Sequence, residues 1–253
     1  MVLSMDRWGG KVAVVRGASA GIGAAIVEEL VKHGIIVVGF ARRKERVEQL
    51  ATTLRGAKGK VIAVKCDMTI EDDILEAFKY VRTNLAPVSI LINNAGILQA
   101  TNLIDGDTEK WKTLLDTNIL GLCIATREAM RDMKANNIDG HVIHINSLAG
   151  HRVYDYPQVN CYAASKHAVT ALAETLRYEI NRENLKVKIT SISPGYVETD
   201  IVQAAFGTQA ANFPLKKGLK SEDVADAVLY ALSTPPHVQV SEVTIRLQGD
   251  NRN

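Results

Sequence analysis

The stretch that decides the fold is Val12-Ala-Val-Val-Arg-Gly-Ala-Ser-Ala-Gly-Ile-Gly23. Its first four residues form a short, valine-rich apolar run, which is typical of a strand covered on both faces. Three glycines follow at positions 17, 21 and 23, and a helical pattern starts at residue 22. Glycine lets a backbone turn tightly and approach a pyrophosphate, which then lies at the positive end of the helix. A strand–helix turn without a ligand also uses glycine, so this stretch alone leaves both interpretations open.

The same alternation of apolar runs and helical patterns continues along the chain. Strands are predicted at residues 12–15, 35–40, 61–64, 90–92, 141–145, 187–192 and 243–247. Helices are predicted at residues 22–33, 43–54, 70–84, 108–136, 162–182 and 222–232. This pattern predicts an α/β protein with one Rossmann-fold domain over residues 1–253, a doubly wound seven-stranded parallel sheet flanked by helices. Residues 195–220 lack a clear period and are a candidate substrate lid.

The composition excludes several classes of protein. The chain has 253 residues, of which 47% are hydrophobic and 23% charged, and a formal net charge of +2. This weak charge argues against a nucleic-acid partner. Its three cysteines are widely spaced, which argues against a disulfide framework and a metal site. No run reaches the roughly 18 apolar residues that a membrane span needs. We therefore expect a cytoplasmic protein with no membrane span, no metal and no nucleic acid.

The end of the second predicted strand suggests which dinucleotide would bind. An acidic residue here would favour NAD, because a carboxylate accepts hydrogen bonds from the ribose hydroxyls. This chain has Arg42 and Arg43 instead, and a guanidinium suits the 2′-phosphate of NADP. The alternative is that both arginines form a solvated helix start. Asp67, after the third strand and next to Met68, either accepts a hydrogen bond from the adenine amino group or only caps a turn.

Tyr162-Ala-Ala-Ser-Lys166 is the strongest local signal of chemistry. Tyr162 and Lys166 are four residues apart, so they share one face of the predicted helix. A tyrosine pKa near 10 is too high for easy proton exchange at neutral pH, and a nearby cation stabilises the phenolate. Such pairs are also common on solvated helix faces.

Further motifs stand at fixed distances from these two. They are Gly17-x-x-x-Gly21-x-Gly23, Asn93-Asn-Ala-Gly96, Asn118, Ser147, Tyr162-x-x-x-Lys166 and Pro194-Gly-Tyr-Val-Glu-Thr199. Together they resemble the short-chain dehydrogenase/reductase family over nearly the whole chain. The resemblance implies an oxidoreductase that moves hydride between NADP(H) and an alcohol or carbonyl. It also implies that family members pair through the helices at 108–136 and 162–182, so a homodimer or homotetramer is expected.

The resemblance implies roles for individual residues. Ser147 would hold the substrate oxygen, and Tyr162 would exchange its proton. Lys166 would bind the nicotinamide ribose and tune Tyr162, and Asn118 would position a water that relays protons. The residues expected to bind the cofactor are Gly17, Ser19, Ala20, Gly21, Ile22, Gly23, Arg42, Arg43, Asp67, Met68, Asn94, Ala95, Gly96, Tyr162, Lys166, Pro194, Gly195, Val197 and Thr199.

Simpler interpretations remain open for several of these positions. Ser147 ends a strand, where a hydroxyl also serves a turn, and Pro194-Gly195 is common turn chemistry. Asn118 lies among apolar residues and would need a buried partner. One residue departs from the family, which usually has threonine before the first glycine, where this chain has Arg16. A buried guanidinium there must find water, a carboxylate or the cofactor phosphates.

Smaller details narrow the expected substrate. The stretches at 8–12, 39–43, 150–153 and 233–240 resemble insect NADP-dependent farnesol dehydrogenases and a related vertebrate hydroxysteroid/carbonyl reductase. They imply a lipophilic terpenoid or allylic alcohol such as farnesol, with steroids or dicarbonyls as alternatives. A binding protein that senses NADP(H) without turnover is the other alternative. The candidate pocket residues, which ordinary packing would also explain, are Leu98, His151, Val153, Tyr154, Tyr156, Phe206 and Phe213.

Overall fold

Seven parallel strands form a single sheet in the computed structural model, which describes residues 3–212 and 217–249. The strands are β1 (Val12–Arg16), β2 (Ile36–Ala41), β3 (Lys60–Lys65), β4 (Val88–Asn93), β5 (His141–Ile145), β6 (Lys188–Pro194) and β7 (Glu242–Ile245). They lie in the order β3-β2-β1-β4-β5-β6-β7, and every neighbouring pair is parallel. The predicted doubly wound seven-stranded sheet is therefore confirmed.

Helices cover both faces of this sheet. They are α1 (Gly21–Lys32), α2 (Lys44–Thr53), α3 (Glu71–Asn84), α4 (Thr108–Leu115), α5 (Gly121–Ala135), α6 (Asn160–Arg182), α7 (Ile201–Phe206) and α8 (Ser221–Ser233). Residues of α1 and α8 share one apolar core with one face of the sheet, and residues of α3, α5 and α6 share the other. No helix among the described residues combines the length and the apolarity needed to cross a bilayer.

The apolar cores on the two faces of the sheet explain why the strands are nearly continuous apolar runs in the sequence. In β1, Ala13 and Val15 belong to the core under α1 and α8, whereas Val12 and Val14 belong to the opposite core. Successive side chains of a strand point to opposite faces, so a strand covered on both faces needs apolar residues at every position. Arg16, the last residue of β1, breaks the run and is nevertheless fully buried.

The predicted helix at 108–136 is interrupted by a wider turn. Residues Asp116–Leu120 form a π-helical segment between α4 and α5, and the N–H of Gly121 donates to the carbonyl of Asp116 five residues earlier. π-Helical turns of this kind are rare and occur mostly at functional sites. The segment carries Asn118, so the interruption lies at one of the predicted catalytic positions.

The candidate lid is partly helical. Between the end of β6 and the start of α8, α7 is followed by a short 3₁₀ segment at Gly207–Asn212. Its two ends meet, because the N–H of Glu198 donates to the carbonyl of Leu219 at 2.8 Å and that of Leu219 donates to Tyr196 at 2.9 Å. Phe213, one of the residues expected to line the pocket, lies outside the described residues.

Candidate active site

A cleft of about 580 Å³ opens at the carboxyl ends of the strands, where the chain order reverses between β1 and β4. Ligands of doubly wound sheets bind at this reversal, because neighbouring connections run to opposite faces and leave a crevice. The predicted catalytic and cofactor residues that line the cleft are Gly17, Ser19, Ala20, Gly21, Ile22, Arg42, Arg43, Asp67, Met68, Asn94, Ala95, Gly96, Ser147, Tyr162, Lys166, Pro194, Gly195, Val197 and Thr199. Residues from seven separate stretches of sequence thus meet in one cavity.

Two predicted site residues, Gly23 and Asn118, lie behind the wall of the cleft. A Cβ atom on Gly23 would sit 2.2 Å from the carbonyl oxygen of Gly17 and 2.6 Å from Nδ2 of Asn94. The Asn94 amide in turn donates to the carbonyls of Arg16 and Gly17, at 3.0 and 3.2 Å. The glycine therefore lets α1 start directly against the loop, which suits a pyrophosphate at a helix N-terminus.

The end of β2 presents positive charge to the cleft. Arg42 and Arg43 are both exposed and both line it. Asp67, across the cleft at the end of β3, accepts from the backbone N–H of Thr69 at 2.9 Å and from its hydroxyl at 2.8 Å. The carboxylate of Asp67 therefore caps a turn, which is one of the two roles open from the sequence. The residues present fit a dinucleotide that carries an additional phosphate near its adenosine ribose.

Ser147 and Tyr162 form a hydroxyl pair in the cleft. Ser147 precedes a 3₁₀ turn, and its Oγ accepts from the N–H of Ala149 at 3.1 Å, so the turn fixes this side chain. The Ser147 hydroxyl interacts with that of Tyr162 and lowers the pKa of Tyr162, but burial has the larger effect and raises that pKa to about 12. Sequence reasoning expects Lys166 to lower the pKa of Tyr162, and here the balance is the opposite, because desolvation disfavours the phenolate.

Lys166 lies one helical turn after Tyr162 on α6, with its ammonium 5.7 Å from the centre of the Tyr162 ring. It is buried and donates to the carbonyl of Ile145 at 2.9 Å. Burial, and to a smaller extent the charge of Arg16, lower the pKa of Lys166 to about 8. Lys166 therefore exchanges its proton closer to neutral pH than a free lysine does.

Asn118 is held by hydrogen bonds on both sides of its amide. Its Oδ1 accepts from the N–H of Ile97 at 2.8 Å, and its Nδ2 donates to the carbonyl of Ile97 and to Oγ of Ser165, each at 3.0 Å. A Cβ on Gly96 would lie 3.5 Å from Oδ1 of Asn118 and 3.8 Å from Nζ of Lys166. The buried partner that Asn118 required is therefore present, and Gly96 lies close to both the amide and the ammonium.

The outer part of the cleft is lined mainly by apolar and aromatic side chains. Leu98, Val153, Tyr154 and Tyr156 line it as expected from the sequence. The rings of Tyr154 and Tyr156 are stacked, with centroids 5.8 Å apart. Among the described residues expected to line the pocket, His151 and Phe206 do not.

The loop that carries these aromatic residues is attached at two points. The N–H of Thr101 donates to the carbonyl of Gln158 at 3.1 Å, which joins this loop to the one after β4. Nε2 of His151 lies 2.6 Å from Oε1 of Glu242 on β7. These contacts hold the loop whose stacked tyrosines line the same cleft as Ser147 and Tyr162.

Sequence reasoning does not identify the groups that hold the site together. Ser165 lies within the quoted Tyr162–Lys166 motif, and a serine on the buried side of that helix is the available signal. Ile97 and Ile145 act through backbone atoms. These contacts do not depend on the side chain, so the residue type does not reveal them.

Comparisons with known proteins agree with this geometry. A family profile described as short chain dehydrogenase matches residues 11–210. The chain is 50% identical over 250 residues to the farnesol dehydrogenase of Aedes aegypti, covering 97% of this chain and 99% of that one. It is 46% identical over 252 residues to dehydrogenase/reductase SDR family member 11 of Mus musculus, covering 96% of each. The closed form of a serine dehydrogenase complexed with NADP⁺ superposes with a TM-score of 0.83 at 29% identity, covering 93% of this chain and 94% of that chain.

Proposed function

The chain belongs to the short-chain dehydrogenase family, and on this premise we propose that it is an NADP-dependent enzyme that interconverts a lipophilic alcohol and its aldehyde or ketone. The observation that carries the proposal is the Ser147–Tyr162 hydroxyl pair in the same cleft as the glycine loop and Arg42. A single cavity thus holds groups suited to a phosphorylated dinucleotide and groups suited to an alcohol oxygen.

The roles of the residues follow from their chemistry. When bound, NADP supplies the hydride acceptor or donor. Ser147 donates a hydrogen bond to the substrate oxygen and holds it beside the phenol. In oxidation the alcohol O–H proton passes to the oxygen of Tyr162, and in reduction Tyr162 returns it to the new alkoxide oxygen. Lys166 stabilises the phenolate form of Tyr162, and Asn118 positions a water that relays protons to Lys166.

A terpenoid or allylic alcohol such as farnesol is the proposed substrate. Leu98, Val153 and the stacked Tyr154 and Tyr156 give the outer cleft an apolar lining, which favours a substrate with a long hydrocarbon part. The identity to a relative described as a farnesol dehydrogenase supports the same substrate class. A steroid or a dicarbonyl compound is the alternative that fits the same lining.

Steady-state kinetics test the proposal directly. Farnesol, a hydroxysteroid and serine as a polar comparator are each supplied with NADP⁺ or NAD⁺, and a dicarbonyl is supplied with NADPH. We expect the highest kcat/KM with farnesol and NADP⁺, and little turnover of serine. Tight NADPH binding without turnover of any substrate would instead favour a binding protein that senses the cofactor.

We also propose that the chain self-associates through the outer face of α5 and α6. A groove of about 360 Å³ runs between these helices, and Leu120 and Tyr178 beside it are exposed. Three apolar residues of the predicted helices at 108–136 and 162–182, namely Leu114, Leu122 and Leu176, are buried within the single chain. Light scattering gives the mass, and a monomer at micromolar concentration would contradict this proposal.

A further inference from the structure

Arg16 stands where the family usually has threonine, and it is the largest of the fully buried side chains. Its guanidinium reaches three segments of the chain. Nε lies 2.9 Å from Sδ of Met68, one terminal nitrogen donates to Oδ1 of Asn93 at 2.9 Å, and the other donates to the carbonyl of Thr117 at 3.3 Å. These partners hold the guanidinium within the protein, and Arg16 is not among the residues that line the cleft.

Each of these three partners adjoins the candidate site. Met68 itself lines the cleft, and Asn93 directly precedes Asn94, which lines it as well. Thr117 directly precedes Asn118 in the π-helical segment. One guanidinium thus contacts both a wall of the cleft and the π-helical turn that carries Asn118, the residue expected to position a proton-relaying water. A threonine hydroxyl is too short to reach all three.

The chain accommodates the guanidinium closely at the start of α5. A Cβ on Gly121 would lie 3.1 Å from a terminal nitrogen of Arg16 and 2.3 Å from the carbonyl of Met68. Glycine therefore lets the π-helical turn approach both groups. This close approach shows that Arg16 is built into the packing of the turn.

The charge of Arg16 has no carboxylate partner. Among the ion pairs of the described residues, none includes Arg16. The titratable groups that face it are the thiols of Cys66 and Cys123, whose pKa values burial raises, and His144, whose pKa burial lowers to about 3. These three groups are neutral at pH 7, so they do not compensate the guanidinium.

The charge of Arg16 also acts on the titratable ammonium of Lys166. The groups that face its ammonium are Arg16 from β1, the neutral His144 from β5 and the phenol of Tyr162 from its own helix. An uncompensated cation in a low-dielectric interior acts over a longer distance than a solvated one. The guanidinium therefore disfavours the protonated form of Lys166, and burial acts in the same direction.

We propose that Arg16 is a positioning residue of the reaction, which fixes the turn that carries Asn118 and holds a positive charge near Lys166. This inference rests on the proposed function and deepens it. It assigns to one buried residue two separable effects, one on geometry and one on charge.

Two variants separate these effects. Arg16→Gln removes the charge, and Arg16→Lys keeps the charge but cannot reach all three partners. The cofactor-free proteins are labelled with acetic anhydride from pH 6 to pH 11, and mass spectrometry follows acetylation of Lys166, because only the neutral amine reacts. Steady-state kinetics with NADP⁺ and farnesol follow in parallel, and the exposed Arg55→Gln is the matched control.

For Arg16→Gln we expect the midpoint of Lys166 acetylation to move up by about one pH unit, since a nearby like charge is lost. For Arg16→Lys we expect an unchanged midpoint and a kcat lower by about tenfold, since a small displacement of catalytic groups slows the chemistry. If Arg16→Gln does not fold, Arg16→Met removes the same charge with an apolar side chain of similar length.

Three results count against the inference. An unmoved midpoint in both neutral variants eliminates the effect on charge, and a loss of thermal stability alone indicates a merely structural residue. A wild-type kcat in Arg16→Lys eliminates the effect on geometry. The labelling needs no substrate. If the wild-type protein oxidises no alcohol, the proposed function is refuted. The midpoint of Lys166 acetylation then still tests the effect of the Arg16 charge.

Discussion

Nζ of Lys166 lies 5.7 Å from the centre of the Tyr162 ring and 2.9 Å from the carbonyl oxygen of Ile145. The spacing of four residues on α6 places the ammonium over the ring, and the end of β5 fixes its position. The hydroxyl of Tyr162 bonds instead with Ser147. The phenol is therefore the group of this pair that faces the position of a substrate oxygen.

Replacement of Tyr162 with phenylalanine tests this arrangement. Tyr162→Phe removes only the oxygen that exchanges the proton, so we expect kcat to fall by about 10³-fold, within the range typical of a general acid–base. NADPH binding, measured by fluorescence titration, should change little because the ring and Lys166 remain. Tyr178→Phe alters an exposed tyrosine on the same helix and serves as the control. Retained activity in Tyr162→Phe contradicts the proposed mechanism.

The raised pKa of Tyr162 predicts different pH dependences for the two directions of reaction. With a pKa of about 12 the phenol is protonated at neutral pH, so it can donate to a carbonyl oxygen but must first ionise to accept an alcohol proton. Below its pKa the phenolate fraction rises tenfold per pH unit. We expect kcat/KM for oxidation to rise steeply from pH 7 to pH 9 while that for reduction stays nearly constant. An oxidation rate that is level over this range would show that the phenol is already ionised.

Much of the fold follows from local pattern alone. The run His141–Ile145 predicts β5 with the bounds observed, and all five of its residues are buried, as expected for a strand covered on both faces. The helix predicted at 108–136 shows the limit of this reasoning. Apolar periodicity cannot distinguish a continuous helix from one with a π-helical turn at Asp116–Leu120, since both keep the same face inward.

The candidate site, too, is predicted only in part from the sequence. Glycine spacing and the Tyr162–Lys166 pair locate the cleft, because the chemistry requires those residue types. The partners of Arg16 come from three segments that are 52 to 101 residues away in sequence, and no local pattern connects them. The direction of the pKa shift of Tyr162 depends on burial, which only the packed structure provides.

Arg42 is expected to determine the choice between NADP and NAD. A hydrogen bond to a charged group contributes about 1.5–3 kcal/mol, which corresponds to a change of roughly 10–150-fold. We therefore expect Arg42→Ala to lower kcat/KM for NADP⁺ by this factor and to leave that for NAD⁺ nearly unchanged. Arg55→Ala, at an exposed position outside the cleft, is the control. Equal use of NADP⁺ and NAD⁺ by the wild-type protein would refute the role of Arg42.

Gly23→Ala tests the close approach of α1 to the glycine loop. The new Cβ would lie 2.2 Å from the backbone oxygen of Gly17, which has no flexible side chain to move aside. We expect a loss of about 1–3 kcal/mol in the free energy of unfolding, together with weaker NADPH binding as the loop shifts. Denaturant unfolding and fluorescence titration measure the two effects. Gly9→Ala is matched to it, since its nearest neighbour would be 3.5 Å away, and wild-type affinity in Gly23→Ala would contradict the predicted shift.

His144 is expected to make the fold sensitive to acid. It is buried on β5, and Nδ1 accepts from the Asn93 amide at 3.1 Å. Burial and the nearby Arg16 lower its pKa to about 3, whereas an unfolded histidine titrates near 6.5. Between these values the unfolded chain binds the additional proton, so stability falls as the pH is lowered from about 6.5 towards 3.

This loss of stability in acid predicts a measurable dependence of the free energy of unfolding on pH. At about 1.4 kcal/mol per pH unit, the His144 contribution to the free energy of unfolding drops by about 3 kcal/mol between pH 6.5 and pH 4. His144→Gln keeps a hydrogen-bond acceptor for Asn93 and cannot gain a proton, so its acid-induced loss should be smaller by that amount. Urea unfolding at half-unit pH steps measures the difference, with the exposed His33→Gln as the control. If both variants follow the wild-type curve, another group controls the acid sensitivity. A slope reduced only in His144→Gln instead identifies the uncharged imidazole beneath Asn93 as its source.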